Sequence, residues 1–154
     1  MLQGLRGFQT CSKLSFSVDL YSNGNENTAV TGGWSVAGAE KTGSYINFDV
    51  QGGTSSSKSA NAFTNNSISL AAYSKVIFSI TVLGGQDYEF TFGVGSASNT
   101  TNLASTTVIV GGEASVNISS VSSGYIRVSV WVNRYNDETS GEAKMRVTRV
   151  RLVI

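Results

Sequence analysis

The sequence predicts an all-β fold, an antiparallel two-sheet β-sandwich of about nine or ten strands. Three observations predict it. Apolar and polar residues alternate along most of the chain, no window repeats at the three-and-four spacing of a helix, and Gly-, Asn- and Ser-rich turns recur at short intervals. Strands spaced this way read as a sandwich or barrel, since each must bury one face against a partner layer.

Residues 1–12 follow no pattern and read as an irregular N-terminal arm or linker, which leaves 13–154 as one sandwich domain. Alternating runs follow at Leu14 to Leu20, Gly33 to Ala37 and Ser44 to Val50. Trp34 shares parity with Val36 and reads as a core anchor. Ile68-Ser69-Leu70-Ala71-Ala72-Tyr73 reads as a single turn ahead of a long strand. In that strand, Ser74 to Leu83, one face carries Val76, Phe78, Ile80 and Val82. Asp87 to Gly95 turns Phe90, Phe92 and Val94 inward, with Glu89 and Thr91 outward. Gly84-Gly85-Gln86 reads as a hairpin connection between the two. Further runs are Ala104 to Val110, Ala114 to Ser119, Gly124 to Asn133 and Ala143 to Ile154.

The last run changes phase. Met145 and Val147 share one parity, while Val150, Leu152 and Ile154 share the other. A bulge near Thr148-Arg149 would return both groups to the core. Proline is absent, although average usage near 5% predicts about eight. Gly and Asn, which tolerate positive φ, must supply the turns.

Composition excludes several functions. Only 14% of residues are charged and the net charge is +1, so no field draws in nucleic acid or anionic lipid. No apolar stretch approaches the ~20 residues of a membrane helix, so membrane insertion is not expected. Ser, Thr, Asn and Gly fill about four positions in ten, giving a neutral surface rich in hydroxyls and amides. The opening, Met1 to Phe8, lacks the apolar core of a signal peptide. The expectation is assembly in a cytoplasm, or trimming from a larger chain.

The chain has no histidine, which removes Ser-His-Asp and Cys-His nucleophile systems and His-ligated zinc. Cys11 is the only cysteine, so neither an intrachain disulfide nor a thiolate metal cluster can form. No phosphate-binding loop or dinucleotide fingerprint appears. Two carboxylates could still cleave a glycosidic bond, and Asp49 and Glu89 are the strand-borne candidates. Both also read as ordinary solvent-face acids, and no catalytic residue is assigned. The expectation is a non-enzyme without cofactor. Two oxygen-rich loops are permissive for calcium: Asn23, Asn25, Glu26 and Asn27, and Asn136, Asp137, Glu138 and Glu142. Neither has EF-hand spacing.

One constellation stands out. From Gly124 to Tyr135, the inward face carries Ile126, Val128, Val130 and Val132. The outward face carries Tyr125, Arg127, Ser129, Trp131, Asn133 and Tyr135. Aromatic rings pack on the C–H faces of pyranoses, while Arg and Asn direct hydrogen bonds at hydroxyls. Tyr125, Arg127, Trp131, Asn133 and Tyr135 are therefore the candidate ligand-binding residues. Aromatics and Arg are equally the currency of subunit contacts, so packing against a neighbour is the competing reading. Tyr45, Asn47 and Asp49 form a similar outward row opposite Ile46, Phe48 and Val50. Were the two rows neighbours in one sheet, they would make one broad platform.

Thr31-Gly32-Gly33-Trp34 leads into an early strand. Ser67 to Phe78 has the order Ile-x-Leu, then Tyr, then a hydrophobic strand, and Met145 to Leu152 closes the chain. In these pieces the sequence resembles carbohydrate-binding-module-type jelly rolls. With the opening Leu20-Tyr21-Ser22-Asn23-Gly24-Asn25-Glu26, it is also similar to modules of tail or baseplate proteins of phages infecting Gram-positive bacteria. The resemblance implies a jelly roll, and a virion appendage domain (tail, fibre or baseplate) that binds cell-surface glycan or polysaccharide. It also implies other appendage subunits as partners, a homotrimer among the assemblies, and a virion assembled in a bacterial cytoplasm. The alternatives are a structural oligomerisation or knob domain, or a carbohydrate-binding module of a bacterial polysaccharide-degrading enzyme at the cell surface or secreted.

Overall fold

In the computed structural model, which describes residues 16–53, 56–108, 111–133 and 141–154, the cleanest alternation gives the longest strands. The elements open with β1 (Ser17–Ser22), β2 (Asn25–Glu26), the one-turn helix α1 (Thr28–Thr31), β3 (Trp34–Ala37), β4 (Glu40–Lys41) and β5 (Ile46–Gln51). Then come β6 (Lys58–Thr64), β7 (Ile68–Ser69), β8 (Lys75–Gln86), β9 (Tyr88–Gly95) and β10 (Ala104–Val108). β11 (Gly112–Asn117), β12 (Ser123–Val132) and β13 (Glu142–Val153) complete the chain. The arm 1–12, the start of the first run at Leu14, and Tyr135 lie outside the described residues, as do Asn136, Asp137 and Glu138.

The strands form two antiparallel sheets. Sheet A runs β11-β8-β13, with β5 and β1 end to end along the other edge of β13, against residues 142–147 and 149–153. Sheet B runs β10-β9-β12-β6-β3. Eight of these strands pair as one long hairpin folded over itself: β5 with β13, β6 with β12, β8 with β11, and β9 with β10. Along that hairpin the chain changes sheets at every connection except the β9–β10 tip. This is the jelly roll. Its nested pairing brings residues 46–51 against 142–147, so closure depends on long-range contacts rather than on tight turns.

Between the layers lie the residues that alternation turned inward. Phe78, Phe90, Phe92, Ile126, Val128, Val130 and Val132 are fully buried. Trp34 is buried too, its indole N–H donating to the Leu20 carbonyl at 3.3 Å and its ring meeting Tyr21 edge-on. The bulge in the last strand is present: the β13–β8 register shifts between Val147 and Arg149, and Met145, Val147, Val150 and Leu152 are all buried. Ile154 departs from expectation. It is 64% exposed at the strand's end, where its N–H donates to the Phe16 carbonyl.

Gly84-Gly85-Gln86 is not a hairpin turn. Gly84, Gly85 and Gln86 pair with Lys144, Ala143 and Glu142, and β8 and β9 belong to different sheets. The chain crosses at Asp87, whose φ of 55° an Asp accepts more readily than most residues. Glycine at 85 serves a close approach, since a Cβ there would meet the Tyr88 ring at 2.6 Å. The Ile68–Tyr73 turn is present after the short β7, closed by the Tyr73 N–H donating to the Leu70 carbonyl at 2.9 Å.

Candidate ligand-binding face

β12 is the central strand of sheet B, so its outward residues stand in the middle of a face five strands wide. At about 4.8 Å per strand and 3.3 Å per residue, that face measures roughly 20 Å in each direction. Register fixes the neighbours. Tyr125 lies opposite Gly95, and Arg127 between Gly93 and Phe63. Ser129 lies between Thr91 and Asn61, and Trp131 between Glu89 and Ser59. Trp131 is 44% exposed, whereas Tyr125 and Arg127 are half-buried.

The two ends of the row differ. At the Tyr125 end, the loop Ser96–Leu103 lies on β9. A Cβ on Gly95 would run into the Thr100 carbonyl, and one on Gly93 would come within 3.0 Å of Thr101 and Ser105. The loop is braced by Asn102, whose Oδ1 accepts from the Ser96 N–H at 3.0 Å and from the Thr100 hydroxyl at 2.9 Å. Arg127 reaches it through Nη1, which donates to the Ser98 carbonyl at 2.7 Å. Burial pulls the Arg127 guanidinium below its ordinary pKa and leaves it charged at neutral pH. Its Nη2 donates to Asn61 Oδ1, which also accepts from the Ser129 hydroxyl at 2.9 Å. At the Trp131 end the ring stands open.

Asn133 closes the crossing between the sheets. Its backbone N–H donates to the Asp87 carbonyl at 3.0 Å, and its Nδ2 to Asp87 Oδ2 at 2.9 Å. Of the five candidate residues, the structure thus brings Tyr125, Arg127 and Trp131 into one row, with Asn133 at its end. Asn61, Ser59 and Phe63 belong to the same face and were missed, because β6 was not recognised as a strand. Its inward positions are Ala60, Ala62 and Thr64, too small and mixed for a strong alternation.

The second aromatic row is not a neighbour of the first. Asn47 and Asp49 lie on β5, and the row that begins at Tyr45 faces outward from sheet A, across the sandwich from β12. There the Arg146 guanidinium lies over the Tyr45 ring, 4.4 Å from its centroid. Asn47 and Asp49 line a shallow cleft of about 230 Å³ with Gly38, Ala39 and Glu40. The same separation overturns Asp49 and Glu89 as a carboxylate pair. They face outward from opposite sheets and cannot flank one bond.

In the first oxygen-rich loop, both Glu26 oxygens are engaged: Oε1 with the Lys41 ammonium at 2.8 Å, and Oε2 with the Trp34 N–H at 2.8 Å. Asn27 Nδ2 donates to the Asp19 carbonyl at 3.0 Å. Of the second loop only Glu142 is described, and it pairs with Lys144 at 2.7 Å.

No protein-family model matches the sequence, and no curated protein does. Among solved structures, the chain is similar to the family 11 carbohydrate-binding module from Clostridium thermocellum, in complex with a β-1,3-1,4-mixed-linked tetrasaccharide. That match has 14% identity, 99% of this chain and 93% of the other covered, and a TM-score of 0.43. It is also similar to TmCBM61 in complex with β-1,4-galactotriose, at 15% identity, 89% and 98% coverage and a TM-score of 0.46. A third is the glycoside hydrolase domain of Endo-D from Streptococcus pneumoniae R6, at 8% identity and a TM-score of 0.49. There 77% of this chain is covered, but the match spans only 21% of that chain.

Proposed function

We propose that the chain is a non-catalytic glycan-binding module whose platform is the outer face of sheet B, with Tyr125, Arg127 and Trp131 along its central row and Asn133 at the end of that row. The observation that carries this is Trp131: a large ring, 44% exposed, near the end of the central strand of sheet B. Polar side chains surround it rather than further apolar ones: the Glu89 carboxylate and Ser59 directly opposite, with Asn61, Thr91 and Ser129 beyond. A protein-binding patch would extend its apolar core, whereas a sugar needs one ring to stack on and polar groups around it. An array of neutral gluco-, galacto-, manno- and xylo-oligosaccharides, three to six units long, tests the reading. Retention by the native chain and its loss in Trp131→Ala are expected. Equal retention by both would remove the face from consideration.

The setting we infer is a virion appendage that holds host-surface glycan, supported by the low charge and the Ser-, Thr- and Asn-rich surface. The labelled domain should stain Gram-positive cells and lose them once their wall glycans are stripped. Staining that survives stripping counts against this setting. Binding only to plant or microbial polysaccharide favours a module of a polysaccharide-degrading enzyme. An oligomerisation domain would bury the same face between copies, and a stable monomer in sedimentation counts against it.

A further inference from the structure

Asn61 sits one register step from Trp131, on the neighbouring strand and the same face. Its amide orientation is determined by its partners. Arg can only donate, so the atom facing Arg127 Nη2 is the amide oxygen. That oxygen also takes the Ser129 hydroxyl proton, which fills both its lone pairs. Nδ2 must then point away from Arg127, and among the described residues no acceptor takes its two N–H groups. Fixed donors of this kind lose little freedom on binding and discriminate by what they leave unpaired.

We propose that Asn61 is the fixed hydrogen-bond donor of this face, taking an acceptor oxygen of the glycan, and that Arg127 and Ser129 hold its amide for that purpose. This rests on the glycan reading. A pyranose stacked on Trp131 brings its ring substituents within reach of the diagonal neighbour, since such pairs lie about 7–8 Å apart. Arg127 is here a positioning residue: one terminal nitrogen holds the loop through Ser98 and the other orients Asn61.

The test is a titration of the 15N-labelled chain with the oligosaccharides of the same array, following the Trp131 indole and Asn61 side-chain amide signals together. Both should move at the same ligand concentration. Asn61→Asp keeps the acceptor for Arg127 and Ser129 but removes the donor, so the melting temperature should hold while binding falls about tenfold. Undiminished binding by Asn61→Asp would overturn the donor role. Without ligand, Ser129→Ala should lower the order parameter of the Asn61 amide. If Trp131 responds and the Asn61 signals stay fixed, the proposal is overturned and the glycan reading stands. If no oligosaccharide moves Trp131, both fall together.

Discussion

The outward faces of the two sheets are built on the same alternation, yet they are chemically opposite. On sheet A, β13 sends out Lys144, Arg146, Arg149 and Arg151, and each meets a carboxylate or a ring, although the Nε of Arg146 and of Arg151 is buried without a hydrogen-bond partner among the described residues. Lys144 meets Glu142 at 2.7 Å, Arg146 covers Tyr45, Arg149 takes both oxygens of Asp19, and Arg151 meets Glu113 at 2.9 Å. On sheet B, β12 sends out Tyr125, Arg127, Ser129 and Trp131, and the bonds there orient groups without exhausting them. A face whose charges are mostly paired has less to offer a neutral ligand. A face that leaves a ring and an amide unspent has both stacking and direction available.

The largest expected effect comes from truncating the ring. Trp131→Ala should cost about 2 kcal/mol of glycan binding, near thirtyfold, as for an aromatic anchor in a contact. Folding stability should change by less than about 0.5 kcal/mol, because the ring faces solvent. A matched Arg146→Ala on sheet A should leave array binding untouched. Equal losses from the two would erase the distinction between the faces.

Next is the closed end of sheet B. Gly95→Ala places a Cβ against the Thr100 carbonyl and must lift the Ser96–Leu103 loop from β9, at about 1–3 kcal/mol of stability. Denaturant unfolding measures the cost. A crystal structure of the variant with the loop unmoved would show that the loop does not wall the face.

Which face a residue occupies was legible in the sequence, because parity alone decides it. Trp131, Arg127 and Tyr125 fell on one outward row by that rule, and Trp34 fell inward. Which sheet a strand joins was not legible. Tyr45 and Trp131 have the same outward signature, and only the nested pairing of β5 with β13 and β6 with β12 separates them. Turn chemistry misled at Gly84-Gly85, where glycine makes room for the Tyr88 ring inside a strand. The residue with the most defined donor geometry, Asn61, was hidden because Ala60 and Ala62 give its strand little hydrophobic contrast.

Smaller effects belong to sheet A. The Arg149–Asp19 pair is bidentate, and Asp19 raises the Arg149 pKa by hydrogen bonding, but the two side chains are 38% and 40% exposed. Asp19→Asn should cost less than about 1 kcal/mol in thermal unfolding and nothing in binding. A larger cost would mean that the charged ladder holds the sandwich together.

The smallest effect is that of salt, and it divides the faces most cleanly. Raising sodium chloride from 0.05 to 1 M shrinks the screening length to about 3 Å and weakens exposed ion pairs. Sheet A carries those pairs, so the melting temperature should fall by no more than about 3 °C. Sheet B presents a stacking ring and a neutral amide, and the charge of Arg127 is turned to Ser98 and Asn61 rather than outward. Oligosaccharide affinity at the two salt concentrations should therefore agree within about twofold. A fall of tenfold that persists in Glu89→Gln, which removes the charge opposite Trp131, would mean that the Arg127 charge itself reaches the ligand. Arg127 would then be a contact residue and not the support of Asn61, and the two faces would differ in how far their charges are satisfied rather than in whether they carry any.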